Sequence, residues 1–305
     1  MLDFRGNAGL IRGPVAGVRI EMGQNMKAPI LALSAALAGA SPALAQDQNQ
    51  QGLQNLTYAD LADLGAGAPL VAHLRVRGVD RLGAREATTV RPGHTRFEIE
   101  AEVVALIRGA GGLPARVRYL VDLPDDSRGR PSRITRRSEF LVMATRVPNR
   151  PDELRLVTAD AQIPYSAATA ETLRGIVREA SGTDAPPRII GIGRAFSVPG
   201  NLPGERETQF FLLTADQRPI SLTVLRRPGE QVRWSVSLGE IVDEGAGPPE
   251  PDTLLWYRLA CTLPDRLPPE ALSEASAEER PAIQEDYGVI RQGLGGCPRA
   301  RATQR

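Results

Sequence analysis

The chain has 305 residues, with 37 Lys plus Arg against 36 Asp plus Glu and a formal net charge of +1. This balance creates no field that would attract nucleic acid or an anionic membrane surface, and we expect neither as a partner. Lys27 is the single lysine, so the rest of the chain has none for a phosphate-binding loop or a Schiff base.

Residues 26–45 have the three parts of a secretory signal peptide. Lys27 supplies the positive charge, residues 28–40 are an apolar run, and a small-x-small pattern ends at Ala45. The apolar run is shorter than the roughly 20 residues that a membrane-spanning helix needs. We therefore predict cleavage between Ala45 and Gln46, and we interpret residues 1–25 as an upstream extension of a gene that starts at Met26.

Composition supports export. Residues 1–45 hold four of the 37 cations and two of the 36 acids, so the mature chain carries 33 arginines against 34 acids. An arginine-only chain is typical of a GC-rich bacterial genome, and the predicted location is the periplasm or the medium. No later segment approaches membrane-spanning length, and no cysteine directly follows the cleavage site for lipid attachment, so the mature protein is expected to be soluble.

The first part of the mature chain is rich in alternating strands. Residues 46–56 read as a disordered polar linker, and Thr57 can cap a short helix that carries Leu61 and Leu64. Period-2 alternation with one polar face then predicts antiparallel strands with one solvated side. Five short strands favour a small barrel or sandwich, and their predicted ranges are 70–79, 96–107, 116–123, 140–146 and 154–158.

A helix and a linker follow. Apolar residues at helical spacing predict a helix that begins after Ser166 and stops near Gly182. Residues 183–187 end in Pro186 and Pro187, and consecutive prolines exclude both a helix and a central strand. We predict a domain boundary there, with one domain over residues 57–182 and another over 188–298.

The second half is predicted to be a meander packed by helices. Its strands cover residues 188–198, 208–215, 219–226 and 231–242, and its helices cover 252–263 and 280–294. Ser276 and Glu279 could form a capping box, but Pro281 favours a helix that starts at Arg280. Residues 299–305 are expected to be a disordered tail.

Cys261 and Cys297 are the two cysteines of the chain. In an exported protein they are expected to form a disulfide. Both lie at or just beyond the C-terminal ends of predicted helices, and bonded cysteines need Cα atoms within about 7 Å. Residues 264–279 must therefore run back along the first helix. The alternative, a reactive thiol pair, would be expected to show C-x-x-C spacing.

Motifs for cofactors and metals are incomplete. Gly191 and Gly193 begin like a dinucleotide fingerprint, but Phe196 stands where the third glycine belongs. No G-x-S-x-G elbow occurs. His73 and His94 have no partner at ligand spacing. We predict no cofactor and no metal.

The histidines and a glutamate row are the remaining candidates for chemistry. His94 lies in a loop before a long strand, where functional residues are common, and is the weak catalytic candidate. His73 shares a strand face with Arg75 and Arg77, so we expect it to be solvated. Glu98, Glu100 and Glu102 could be an acid/base pair, since alternate strand residues lie about 7 Å apart. Cross-strand ion pairs with Arg75, Arg77, Arg116 and Arg118 are the favoured interpretation.

A basic loop over residues 125–133, followed by Arg136 and Arg137, has two interpretations. It could hold a phosphate or another polyanion. Such a run is more often a solvated, mobile loop, and this one has no interleaved aromatic residues for stacking. We favour the solvated loop.

Two stretches carry a resemblance. YADLADLGAGAPLVAHLRVRGV followed by RFEIEAEVVALIRG is similar to the opening of secreted OB-like barrels. SVPGNLPGERETQFFLLTADQRPISLTVLRRPG with DTLLWYRLAC resembles a family of exported alphaproteobacterial proteins. These resemblances imply a barrel and export, and they transfer no functional residue.

Together these observations predict a β-rich α+β protein. A small OB-like antiparallel barrel is followed by an antiparallel β-meander packed with two C-terminal helices. The expected role is a non-catalytic binding or accessory module of the periplasm, whose partner would be an envelope protein or a cell-wall component. The alternative is an envelope-directed hydrolase that uses His94 and a carboxylate.

Overall fold

The computed structural model describes residues 56–83, 85–87, 89–239 and 246–301. The predicted signal peptide, the cleavage site at Ala45 and Gln46, most of the polar linker and the last four residues lie outside this part. Within it, no helix has the length and hydrophobicity needed to cross a membrane. The described residues group by their contacts into one unit, and the predicted domain boundary stays a prediction.

The first part of the fold is a closed five-stranded barrel, as predicted. Its strands are β1 (Leu70–Arg81), β2 (His94–Arg108), β3 (Arg116–Pro124), β4 (Glu139–Val147) and β5 (Arg150–Leu156). They follow the order β1-β2-β3-β5-β4, and β4 pairs with β1 to close the ring. The contact between β3 and β5 is parallel, whereas the others are antiparallel. This topology is that of an OB-like barrel.

Side chains alternate between the two faces of each strand, and this alternation decides which of them fill the interior of the barrel. Leu70, Ala72, Leu74 and Val76 of β1 are buried in its interior. The intervening Val71 belongs instead to a second cluster under two helices. Strand β1 is therefore buried on both faces at its start.

Two helices cover this end of the barrel. Helix α1 (Tyr58–Gly65) begins after Thr57, whose side chain accepts from the Asp60 N–H while the Asp60 carboxylate accepts from the Thr57 N–H. Helix α2 (Ala167–Ser181) is capped by Ser166 and ends before Gly182, as predicted. The strand β6 (Gln162–Pro164) pairs with β4 just before α2. Three residues are too few to show a period, so the sequence did not reveal β6.

The second part is an antiparallel sheet of four strands in meander order. These are β7 (Ile189–Pro199), β8 (Arg206–Thr214), β9 (Ile220–Arg226) and β10 (Arg233–Ser237). One face of the sheet is packed by α3 (Leu254–Ala260), a 3-10 helix (Pro269–Leu272) and α4 (Arg280–Leu294). Phe210, Leu222 and Trp234 are buried there against Tyr287 and Ile290 of α4.

The start of α4 reconciles two competing signals. The helix begins at Arg280, with Pro281 in its first turn, as predicted. Ser276 and Glu279 still exchange both capping-box hydrogen bonds, of 2.8 and 3.2 Å. The box therefore closes the turn that precedes the helix.

The cysteine pair lies at disulfide distance. The sulfur atoms of Cys261 and Cys297 are 2.06 Å apart, and their Cα atoms are 5.1 Å apart. The segment after α3 returns along α4, since Tyr287 Oη donates to the carbonyl of Pro264 and Arg291 pairs with Asp265. This is the return path that the pairing requires.

Residues 299–301, the described part of the predicted tail, make specific contacts, so the prediction of disorder is wrong for them. The N–H groups of Ala300 and Arg301 donate to the Asp60 carboxylate at 2.9 and 3.2 Å. The Arg301 guanidinium pairs with Asp160. Residues 299–301 thus lie against α1 and the β5–β6 turn, because a buried carboxylate at the helix start accepts their hydrogen bonds.

Candidate functional site

His94 is the first residue of β2 and is half-buried. Its Nδ1 lies 3.3 Å from the carbonyl oxygen of Pro92, in a turn that Gly93 allows with φ of +73°. A backbone carbonyl does not titrate at physiological pH, so this contact supplies no proton-transfer partner. His94 does not line the groove between β3 and β5, which is the candidate site.

The glutamate row forms cross-strand ion pairs with Arg77, Arg116 and Arg118, as favoured, whereas Arg75 binds Glu139 instead. Glu98 lies 3.8 Å from Arg118 and Glu100 lies 3.1 Å from Arg116. Glu102 pairs with Arg77, and the hydrogen bond from Arg77 lowers the pKa of Glu102. A general acid needs a raised pKa instead, so Glu102 is unsuited to that role. The row forms ion pairs on the outer surface of the barrel.

His73 is buried, and the prediction of a solvated side chain was wrong. Only 5% of the residue is exposed. Its ring stacks on Tyr165 with centroids 3.8 Å apart, and Nε2 lies 2.7 Å from Glu139 Oε2. The hydrogen bond from Arg75 is the main cause that lowers the pKa of Glu139. The polar face of β1 is covered here because β1 also pairs with β4, which brings Glu139 and the residue after β6 over it.

The basic loop is partly neutralised from within. The Asp126 carboxylate accepts from the N–H groups of Arg128 and Arg130, each at 2.9 Å. It also pairs with the Arg130 guanidinium at 2.6 Å. Hydrogen bonds from Arg130 hold the pKa of Asp126 below its ordinary value. The loop geometry therefore favours the interpretation of a solvated, self-paired turn over a polyanion site.

The candidate site is a groove in the barrel wall between β3 and β5. Their parallel register comprises Arg118 with Glu153 and Tyr119 with Leu154. Beyond this point the strands separate and leave a groove of about 850 Å³. Tyr119 lines the groove but is almost fully buried, and its Oη donates to Gln162 Oε1 at 2.6 Å. The groove is lined by residues 118–122 of β3, residues 153–159, Arg96, Glu98, Val147 and Arg150.

Charges around the groove are mostly matched. Arg96 binds both carboxylate oxygens of Asp122, at 2.7 and 2.8 Å. Arg118 binds Asp152 at 3.0 Å, and this hydrogen bond lowers the pKa of the Asp152 carboxyl. The lowered pKa keeps Asp152 ionised, and arginine–carboxylate pairs of this kind suit recognition through charge more than proton donation.

Leu120 and Arg155 line the groove without belonging to these ion pairs. Leu120 is 46% exposed although it lies between the charged Arg118 and Asp122. Arg155 is exposed on the opposite wall, and within the described residues it takes part in no ion pair. Burial raises the pKa of Tyr119, so its hydroxyl is a hydrogen-bond donor and does not act as a base.

Sequence reasoning found the strands of this site but missed the groove. The one local signal is Leu120, an apolar residue in the polar phase of β3. The pairing of β3 with β5 ends after two residue pairs. Neither strand's sequence predicts this, because it depends on how two segments far apart in the chain diverge.

No group of three or more His, Cys, Asp or Glu residues is placed to hold a metal ion in the described part of the chain. The chain matches no model of a known protein family, and comparison with curated proteins identifies no relative.

Proposed function

We propose that the protein is a non-catalytic binding module of the bacterial periplasm that holds its ligand in the β3–β5 groove. The groove itself carries the proposal. Its volume of about 850 Å³ falls within the roughly 300–1,000 Å³ of typical ligand sites. An exposed leucine set among ion pairs offers an apolar contact inside a polar frame, a combination that gives both affinity and orientation.

The fold supports this location. OB-like barrels bind extended ligands along the face of strands 2 and 3 and the adjoining loops. The groove adjoins that face, since Arg96 and Glu98 come from β2 and residues 118–122 from β3. This argument is an analogy at the level of fold, and the site residues are particular to this chain.

Export is the second element of the proposal. The signal-like residues 26–45 direct the chain across the inner membrane in this view. The Cys261–Cys297 pair at bonding distance fits an oxidising compartment, where disulfides persist. A partner would then be an envelope component.

Crosslinking in intact cells tests the groove directly. The full gene with a C-terminal tag is expressed as wild type, as Leu120→Arg and as Val104→Arg, and crosslinked partners are captured from the envelope. Val104 is a matched control, because it is 40% exposed on β2 of the same barrel and does not line the groove. We expect the partner to be captured by the wild type and by Val104→Arg, with a loss of about tenfold for Leu120→Arg.

Equal capture by all three forms would contradict the groove as the site. Recovery of the wild-type chain from the cytosol with residues 26–45 still attached would contradict the location. N-terminal sequencing of the captured protein distinguishes these outcomes.

A further inference from the structure

We propose that the groove accepts an extended polypeptide segment, which adds as a strand to the free edge of β3. This inference rests on the proposed function and names the chemistry of its ligand.

The backbone of β3 leaves an edge open toward the groove. The Val103 N–H donates to the Ala115 carbonyl at 3.0 Å, and the Asp125 N–H donates to the Gly93 carbonyl at 2.8 Å. Hydrogen bonds of an antiparallel pair alternate, so the odd-numbered residues of β3 face β2 and the even-numbered ones face the other way. Asp122 therefore directs its N–H and C=O toward the groove.

The register with β5 stops short of Asp122. Its last pair is Tyr119 with Leu154, and within the described residues β3 pairs with no other strand on that side. An open strand edge presents unpaired backbone groups, and another extended chain is their natural complement.

The opposite wall has a similar edge. The Val157 N–H donates to the Met143 carbonyl at 3.0 Å, so residues of the same phase face β4 and Leu156 faces the groove. A segment lying between the walls would thus meet backbone groups of Asp122 on one side and of Leu156 on the other. Two edges that face one gap favour a polypeptide, since its backbone has donors and acceptors on both sides.

Side chains around the groove also favour a peptide over a glycan or a single-stranded nucleic acid. The aromatic residue in the described lining is Tyr119, which is 2% exposed, so no ring is free for stacking. The other lining arginines face carboxylates, whereas Arg155 has no ion-pair partner in the described chain. We infer a segment with an apolar side chain over Leu120 and an acidic side chain near Arg155.

Peptide selection supplies the probe. Linear peptides of about a dozen residues are selected from a random displayed library on the mature chain from Gln46 to Arg305, and the strongest binder is synthesised with a fluorophore. We expect its affinity to fall about tenfold for Leu120→Arg and to stay within about twofold for Val104→Arg. Arg155→Gln should weaken an acidic peptide several-fold and leave its Asp/Glu-to-amide analogue unchanged.

The backbone readout is specific to strand addition. Hydrogen exchange of the amides of Asp122 and Leu156 should slow by about tenfold when the peptide is bound. A peptide with N-methyl groups at alternate positions should lose binding. If Leu120→Arg does not fold, hydrogen exchange in the wild type and binding of the N-methyl peptide to the wild type still test strand addition.

Each result has one meaning. Peptide binding without slower exchange at these amides, or with an unchanged affinity for the N-methyl peptide, overturns strand addition. If soluble cell-wall glycan fragments bind in the groove and no peptide does, strand addition fails while the binding module stands. If groove-dependent capture in cells also fails, the proposed function fails with it.

Discussion

Asp286 is a fully buried carboxylate that joins helix α4 to the second sheet. Arg206 donates to it from Nε and from a terminal nitrogen, both at 2.9 Å, and Arg226 donates from Nε at 2.6 Å. Thr208 Oγ1 donates at 2.6 Å. Burial alone would raise the pKa of Asp286, but the hydrogen bonds from Arg206, Thr208 and Arg226 hold that pKa below its ordinary value.

We expect Asp286→Asn to lower the free energy of unfolding by about 3 kcal/mol, because two arginines would keep their charges without this partner. Guanidinium chloride titration measures the change. Asp216→Asn is the control, since Asp216 pairs with Arg218 on the surface, and only a small fraction of the effect is expected there. Similar losses for the two variants would contradict a special role of Asp286.

The pH dependence follows from the same carboxylate. Its pKa in the folded state is lower than in the unfolded state, so its contribution to stability is complete above the unfolded value of about 3.9. That contribution is lost as the pH falls through the folded value. Between about pH 5 and pH 2, the free energy of unfolding should therefore fall less steeply for Asp286→Asn than for the wild type. Parallel curves would contradict this assignment.

At the scale of the element, helix α4 offers two glycines with opposite roles. A Cβ at Gly288 would meet nothing within 4 Å, whereas a Cβ at Gly293 would lie 2.9 Å from Cε2 of the Trp234 indole and closer still to Nε1. Neither glycine has a positive φ. Gly293 is thus needed for the close approach of α4 to β10.

Alanine substitution should separate these glycines. Gly288→Ala should raise the free energy of unfolding by about 1 kcal/mol, because alanine favours the helix. Gly293→Ala should lower it by about 1–3 kcal/mol, since the added methyl group forces Trp234 out of position. Thermal unfolding followed by tryptophan fluorescence measures both, and a stabilised Gly293→Ala would contradict the packing described.

The covalent link between helices α3 and α4 is also an element-scale feature. Cys261 and Cys297 are separated by 36 positions, and closing a loop of this length stabilises the folded state by about 4 kcal/mol. We expect the double variant Cys261→Ser, Cys297→Ser to lose about this amount. Dithiothreitol should destabilise the wild type and leave the double variant unchanged; no effect on either form would contradict the link.

At the scale of the whole molecule, polar contacts connect the second sheet's helices to the barrel's helices. The hydroxyl of Tyr257 in α3 donates to Asp63 of α1 at 2.6 Å, and the Leu254 N–H donates to Glu179 of α2 at 2.8 Å. Residues 299–301 add the contacts to Asp60 and Asp160. These three residues thereby connect helix α4 to helix α1.

Truncation tests how much the contacts of residues 299–301 contribute to stability. A chain that ends at Pro298 should lose about 2 kcal/mol of unfolding free energy, because hydrogen bonds to charged groups are removed. A chain that ends at Arg301 retains the described contacts and should stay close to the wild type. Urea titration compares them, and equal stability of both truncations and the wild type would show that these contacts contribute nothing.

Local patterns were sufficient for most elements. The caps at Thr57 and Ser166, the interior phase of β1 and the start of α4 follow from residues that lie within a few positions of one another. The favoured ion pairs of Glu98, Glu100 and Glu102 also followed, because alternation places charges on one face and neighbouring strands supply the arginines.

Local sequence patterns could not predict the burial of His73 or the groove beside Leu120. Both depend on which strand edges meet: β4 closes against β1 and brings Glu139 to His73, while β5 leaves β3 after two pairs. The sequence by itself determined most of the element order and the apolar faces, and it predicted the pairing of the two cysteines. Only the tertiary structure decided which strand edges pair to close the barrel, the partners of Asp286 and the open edge of β3. The physical reason is that periodicity records which face of a segment avoids water, whereas edge pairing is set by packing between segments far apart in the chain.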